Sequence, residues 1–190
     1  MDELRRSNYA VFVKHVLDQI SDSFKLSSSD IKLLNEYRDY LLSIGTDLAR
    51  MYCSAMSMTS TEFFRRETGD CIGVIERYWH DFLTDIGNDE YWVKMGIHML
   101  KLFSANVGVA ALVAMPTHLS LLAVLRAVRD GKPIDQLSNI LGKLSILTSA
   151  FYSELLIHLL TESVGTSLSA FMILAGHFVE QLINVYGNMP

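Results

Sequence analysis

The sequence predicts an all-helical protein of about eight helices, and three features lead to that fold class. Apolar residues recur at spacings of three and four along long stretches, which is the repeat of one helix face. Proline occurs only at Pro116, Pro133 and Pro190, so few positions forbid a helix. No stretch alternates apolar and polar residues as a half-buried strand requires.

Residues 1–24 form the first helix, with Tyr9, Val13, Val16, Ile20 and Phe24 on one face and Lys14, Asp18 and Asp22 opposite. Such a helix becomes stable by docking its apolar stripe. Ser27-Ser28-Ser29-Asp30 reads as a capping box, the Ser27 hydroxyl accepting a backbone N–H and Asp30 favouring the positive helix end. The stripe that follows runs through Ile31, Leu34, Leu41, Ile44, Leu48 and Tyr52, and Gly45 breaks it into two shorter helices. Thr59-Ser60-Thr61 caps a short turn bearing Phe63 and Phe64. Gly69-Asp70 opens a helix with Ile72, Ile75, Tyr78, Trp79, Phe82 and Ile86 inward, closed by Gly87-Asn88-Asp89.

From Glu90 the apolar positions are Tyr91, Trp92, Met95, Met99, Leu102 and Phe103, and Asn106-Val107-Gly108 marks a corner. An apolar helix from Val109 to Val128 comes next, with Pro116 placed to kink it. Asp130-Gly131-Lys132-Pro133 is the clearest loop, followed by a stripe through Leu137, Leu144, Phe151 and Leu159. Gly165-Thr166-Ser167 starts a last helix reaching Tyr186. No repeat, linker or low-complexity tract interrupts this order, so one domain over 1–190 is expected.

Composition narrows the function. Half of the 190 residues are hydrophobic and 19% are charged, which excludes an intrinsically disordered chain. With 16 Lys and Arg against 21 Asp and Glu, a net charge of -5 and no basic run, a nucleic-acid partner is not expected. Cys53 and Cys71, without a secretory leader at the start, read as reduced thiols of a cytoplasmic protein. The uncharged run from Leu102 to Leu125 is long enough to cross a bilayer. A buried helix is also apolar all round, however, and a soluble protein is the expected reading.

Motifs of enzymes and metal sites are missing: there is no Gly-x-Ser-x-Gly elbow, glycine-rich phosphate loop, His-Glu-x-x-His or Cys-x-x-Cys. No catalytic activity is expected. His98 shares a helical face with Tyr91, Met95 and Leu102, so its imidazole is either a core histidine with one hydrogen bond or an axial ligand to haem iron. Tyr52 fits both a buried stripe and a hydrogen-bond donor in a pocket. The nine methionines are adaptable core filling and equally suit a pocket for a flexible apolar ligand.

The order of these features resembles the sensor-globin family, which includes globin-coupled sensors, protoglobins and non-haem globin domains of stress signalling. Phe24-Lys-Leu-Ser-Ser-Ser-Asp-Ile-Lys-Leu-Leu34 resembles the family's opening helix, and Arg50-Met51-Tyr52 stands where the family carries its distal tyrosine. Glu62-Phe63-Phe64 resembles the turn before the distal helix, and Glu76-Arg77-Tyr78-Trp79 its Arg-Trp region. Lys143-Leu144-Ser145-Ile146-Leu147 resembles the start of the last globin helix. The resemblance implies a globin-like core over 25–162, an extra amino-terminal helix over 1–24 and an extra carboxy-terminal helix over 166–187.

One departure falls at the proximal signature His-x-x-Ile-Gly, matched here by Ser104-Ala105-Asn106-Val107-Gly108. Serine does not ligate haem iron, and His98 lies six residues earlier, so the implied domain lacks haem. An apolar ligand such as a fatty acid is then expected in the former haem pocket, because an empty cavity of that size is costly at ~24 cal/mol per Å³. The implied lining is Tyr52, Met56, Phe64, Cys71 and Ile75 on the distal side. Met95, His98, Met99, Phe103 and Ser104 are implied on the proximal side. A homodimer through the last two globin helices and a signalling partner protein are further implications. The alternatives are a haem-binding gas (oxygen) sensor or protoglobin-like gas binder with His98 or another histidine on iron, a pure interaction protein, and a small membrane protein.

Overall fold

In the computed structural model, which describes residues 2–56, 70–104, 108–163 and 165, helices form at nearly every expected place. Among the described residues there are seven α-helices and no strand: α1 (Asp2–Gln19), α2 (Ser28–Ser43), α3 (Gly45–Met56), α4 (Cys71–Leu83), α5 (Asp89–Ser104), α6 (Val109–Arg129) and α7 (Asp135–Ser163). A 3-10 turn at Asp22–Phe24 ends the first helical segment, so α1 stops at Gln19 instead of running to residue 24. The expected turn bearing Phe63 and Phe64, the corner at Asn106 and Val107, and the last helix over 166–187 lie outside the described residues.

Local chemistry sets the boundaries. Ser27 accepts from the Asp30 N–H at 3.2 Å while the Asp30 carboxylate accepts from the Ser27 N–H at 3.0 Å, closing the capping box of α2. Asp70 caps α4 by accepting from the Gly73 N–H at 2.8 Å. A Cβ at residue 73 would lie 2.0 Å from Asp70 Oδ2, so a larger residue there would require the capping carboxylate to shift. The fourth helix ends at Leu83, not at Gly87 as expected, because Thr84 turns extended and its hydroxyl donates to the His80 carbonyl at 2.5 Å. Ile86 is therefore half-buried in the connection to α5 and is not an inward helix residue.

Two compact units divide the chain, Met1–Tyr152 and Ser153–Pro190. In the second, α7 continues to Ser163, and the Thr161 hydroxyl donates to the His158 carbonyl at 2.8 Å. In the first, α3 packs most extensively on α4, α1 lies on α5, α2 on α4, and α6 meets both α3 and α5. Trp79 of α4 donates its indole N–H to the Leu41 carbonyl at 2.9 Å, occupying an acceptor in the last turn of α2. The first half of α7 is tied to three neighbours. Lys143 contacts Asp30 at 2.9 Å, the Ser149 hydroxyl donates to the Val113 carbonyl at 2.8 Å, and Phe151 meets Trp92 edge-on.

Two expectations change here. Cys53 and Cys71 are joined by a disulfide, so they are not reduced thiols, and the inference of a cytoplasmic location from free cysteines falls away. The pairing is possible because the end of α3 and the start of α4 lie side by side, with Cα atoms 6.2 Å apart. The uncharged run from Leu102 to Leu125 is not one span, since α5 ends at Ser104 and Gly108 caps a new helix. By length and composition alone, Val109–Arg129 and Asp135–Thr161 could still each cross a bilayer. The sixth helix buries Leu112, Met115, Leu119, Ala123 and Ala127, and Arg126 reaches Asp47 of α3 at 2.7 Å.

Candidate functional site

The residues assigned to a pocket by resemblance sit on helices α3, α4 and α5. Burial on α5 repeats at Tyr91, Met95, Met99 and Leu102, which are one helical turn apart and face inward. The facing side of α4 buries Ile75, Tyr78, Trp79, Phe82 and Leu83. Tyr52 of α3 is buried, and burial pushes its phenol up to about 12. The space among these helices is crossed by rings. Tyr78 stacks on Phe82 and meets His98 edge-on, Tyr91 donates to the Phe82 carbonyl at 3.0 Å, and Tyr152 donates to the Tyr78 hydroxyl at 3.2 Å.

Burial holds the Tyr78, Tyr91 and Tyr152 phenols above their ordinary value, the charges and hydroxyls of neighbouring tyrosines adding to it at Tyr78. All three stay neutral across the physiological range, and within the core Tyr91 and Tyr152 donate hydrogen bonds while Tyr78 accepts one.

His98 is half-buried, and its Nε2 lies 2.5 Å from Asp81 Oδ2. His80 approaches the other carboxylate oxygen through Nδ1 at 3.3 Å. Partial burial alone would raise the Asp81 carboxyl, but the hydrogen bonds from His98 and His80 outweigh it and hold it below the usual range. Asp81 is therefore an ionised acceptor, and His98 Nε2 must carry the proton it donates. In a neutral ring held this way the lone pair stands on Nδ1.

Four of the ten expected lining residues, Tyr52, Ile75, Met95 and Met99, are buried on these three helices. His98 stands at the margin, held by Asp81. Phe103 does not join them, being 38% exposed at the end of α5. Cys71 is bonded to Cys53, so its sulfur is not a free group facing a ligand. Met56 closes α3 and Ser104 closes α5, and their side chains, like all of Phe64, lie outside the described residues. Sequence reasoning passed over Asp81, Tyr91 and Tyr152 as partners. Asp81 follows Tyr78 by three residues, at the edge of the buried face of α4, and that spacing was the available signal. Among the described residues no group of three or more His, Cys, Asp or Glu side chains could hold a metal ion.

A groove runs between α1 and α5, away from the expected pocket residues. Its larger lobe has a volume of about 340 Å³ and its smaller lobe about 210 Å³, and Leu17 and Trp92 line both. Gly87, at φ +97°, forms part of the smaller lobe, where a Cβ would lie 3.0 Å from Ile31 Cδ1. Comparison of the chain with protein-family models, with curated proteins and with solved structures finds no match.

Proposed function

We propose that this chain is a globin-like sensory domain that works without haem, responds to an apolar ligand such as a fatty acid, and passes the signal on by protein association. The observation that carries the reading is the interior among α3, α4 and α5, filled by Tyr52, Ile75, Tyr78, Phe82, Tyr91, Met95 and Met99. Serine stands at the proximal position of the resemblance, and His98, the nearest histidine to it in sequence, is paired through Nε2 with Asp81. The ring cluster of Tyr78, Phe82, Tyr91 and Tyr152 supports it further, because these side chains supply the packing that a porphyrin would otherwise provide.

Association is supported by α6. This helix buries one face and turns Leu121, Leu125 and Val128 to solvent at spacings of four and three. Such a stripe fits a second copy of the chain or a partner helix. No reaction is part of the proposal. Purification with haem supplied, followed by absorbance and native mass spectrometry, tests it. The expected sample is colourless, shows no Soret band after hemin is added, and releases a small apolar molecule. A Soret band that titrates to one hemin per chain would overturn the proposal.

A further inference from the structure

We infer that the groove between α1 and α5 is where a fatty acid binds, its acyl chain along Leu17 and Trp92 and its carboxylate on Lys14. The inference rests on the ligand-sensing reading above and gives the ligand a place other than the helical interior. The larger lobe, about 340 Å³, falls within the roughly 300–1,000 Å³ typical of small-molecule sites. The smaller lobe adjoins it, sharing Leu17 and Trp92, and is lined further by Leu26 and Ile31. Leu17, Leu26, Ile31, Trp92 and Val93 are all half-buried, so each leaves apolar surface that a methylene chain would remove from water.

Charge selects the head group. Among the described residues, the charged side chains lining the lobes are Lys14 in the larger and Lys25 in the smaller, in a chain whose net charge is -5. Lys25 is held by Asp22 at 2.6 Å, which leaves Lys14 to meet an anion. A ligand that is apolar over most of its length and anionic at one end matches this lining. An extended peptide matches it less well, because its backbone N–H and C=O groups would be buried against apolar walls.

The test is calorimetric titration of the full chain with dodecanoate and, in parallel, with dodecanol. Two surface variants on α1 are compared with the parent: Lys14→Glu, which reverses the charge, and Ala10→Phe, which fills the larger lobe. Both residues are exposed, and circular dichroism confirms that each variant is folded. Saturable dodecanoate binding is expected, weakened about tenfold or more by either variant, with dodecanol binding about tenfold more weakly than the acid. Trp92 emission should shift on binding in the parent. Dodecanoate binding that is unchanged in both variants would overturn the groove while leaving the ligand-sensing reading intact. Binding of neither compound to any form would overturn both. Equal affinity for acid and alcohol would remove Lys14 from the site and overturn the inference as stated.

Discussion

The Trp79 indole N–H and the Leu41 carbonyl meet at 2.9 Å in the core, and this contact sets how α4 lies across the end of α2. The same indole defines the room available at residue 45. A Cβ there would stand 3.1 Å from Trp79 Cδ1, and Trp79, buried and held by its hydrogen bond, has little freedom to yield. Gly45→Ala should therefore destabilise the protein by about 1–2 kcal/mol through overpacking, although helix propensity alone favours alanine by roughly 1 kcal/mol. Trp79→Phe should cost about 3 kcal/mol by losing the donor and leaving a cavity. Urea unfolding of the two variants and the double variant checks the link. In the Trp79→Phe background the alanine should become neutral or favourable, and two additive penalties would show that the contact does not govern residue 45.

Asp30 joins the start of α2 to α7, and its ionisation is expected to set part of the acid stability. The Lys143 ammonium, then the Ser27 backbone N–H, hold its carboxyl down to about 2. A carboxyl lowered on folding contributes stability above its unfolded value of roughly 3.9, and that contribution is lost as pH falls from there through about 2. Asp30→Asn should thus lower stability at neutral pH and flatten the acid limb between these values. Ser27→Ala, which removes the cap and the hydroxyl's 2.8 Å hydrogen bond to the Asp30 carboxylate, should cost about 1 kcal/mol and change the limb less than Asp30→Asn, because the Lys143 contact and the Ser27 backbone N–H remain. Urea midpoints measured as a function of pH separate the two effects. An unchanged limb in Asp30→Asn would show that the carboxylate does not carry the pH dependence.

The helices were legible because their information is local. Ser27 with Asp30, Gly45, Asp70 and the Asp130-Gly131-Lys132-Pro133 loop each mark a boundary through their own backbone chemistry, and the structure uses all of them. What was not legible depends on contacts distant in sequence. Asp81 and His98 are 17 residues apart on different helices, and Tyr152 reaches Tyr78 across 74 residues. The helical period places His98 on an inward face without saying that a carboxylate waits beside it. Phe103 followed the apolar period of α5 but lies at its last turn, where the neighbouring helix no longer covers that face. The cysteines were misread because compartment was inferred from their number, while their proximity arises only when α3 and α4 pack.

Reduction of the Cys53–Cys71 bond should lower stability without unfolding the helical core. The bond closes a sequence separation of 18 residues, for which the chain-entropy model gives about 3 kcal/mol. Both ends also lie at the most extensive helix pair of the fold, which is held independently by buried Leu48, Tyr52, Ile75 and Trp79. The Cys53→Ser, Cys71→Ser double variant should keep its helical circular dichroism and melt several degrees lower than the oxidised parent. Thiol titration of the parent under denaturing conditions should find no free thiol until reductant is added. Two titratable thiols in the untreated protein would show that the bond does not form.

The outward stripe on α6 makes the assembly proposal testable without touching the core. Leu121, Leu125 and Val128 are 55%, 48% and 51% exposed, so charged replacements there cost little folding stability in a free chain. If the stripe is covered by a second copy, each replacement is duplicated across a two-fold interface, and like charges face each other in an apolar setting. Leu125→Glu is therefore expected to convert a dimer into a monomer in light scattering coupled to size exclusion. Thermal unfolding of the variant should become independent of protein concentration, whereas the parent should melt higher as concentration rises. Lys32→Glu, an exposed charge reversal on α2, serves as a charge control and should leave the dimer largely intact. A parent protein that is monomeric at every concentration, or a Leu125→Glu variant that stays dimeric, would remove α6 as the contact surface.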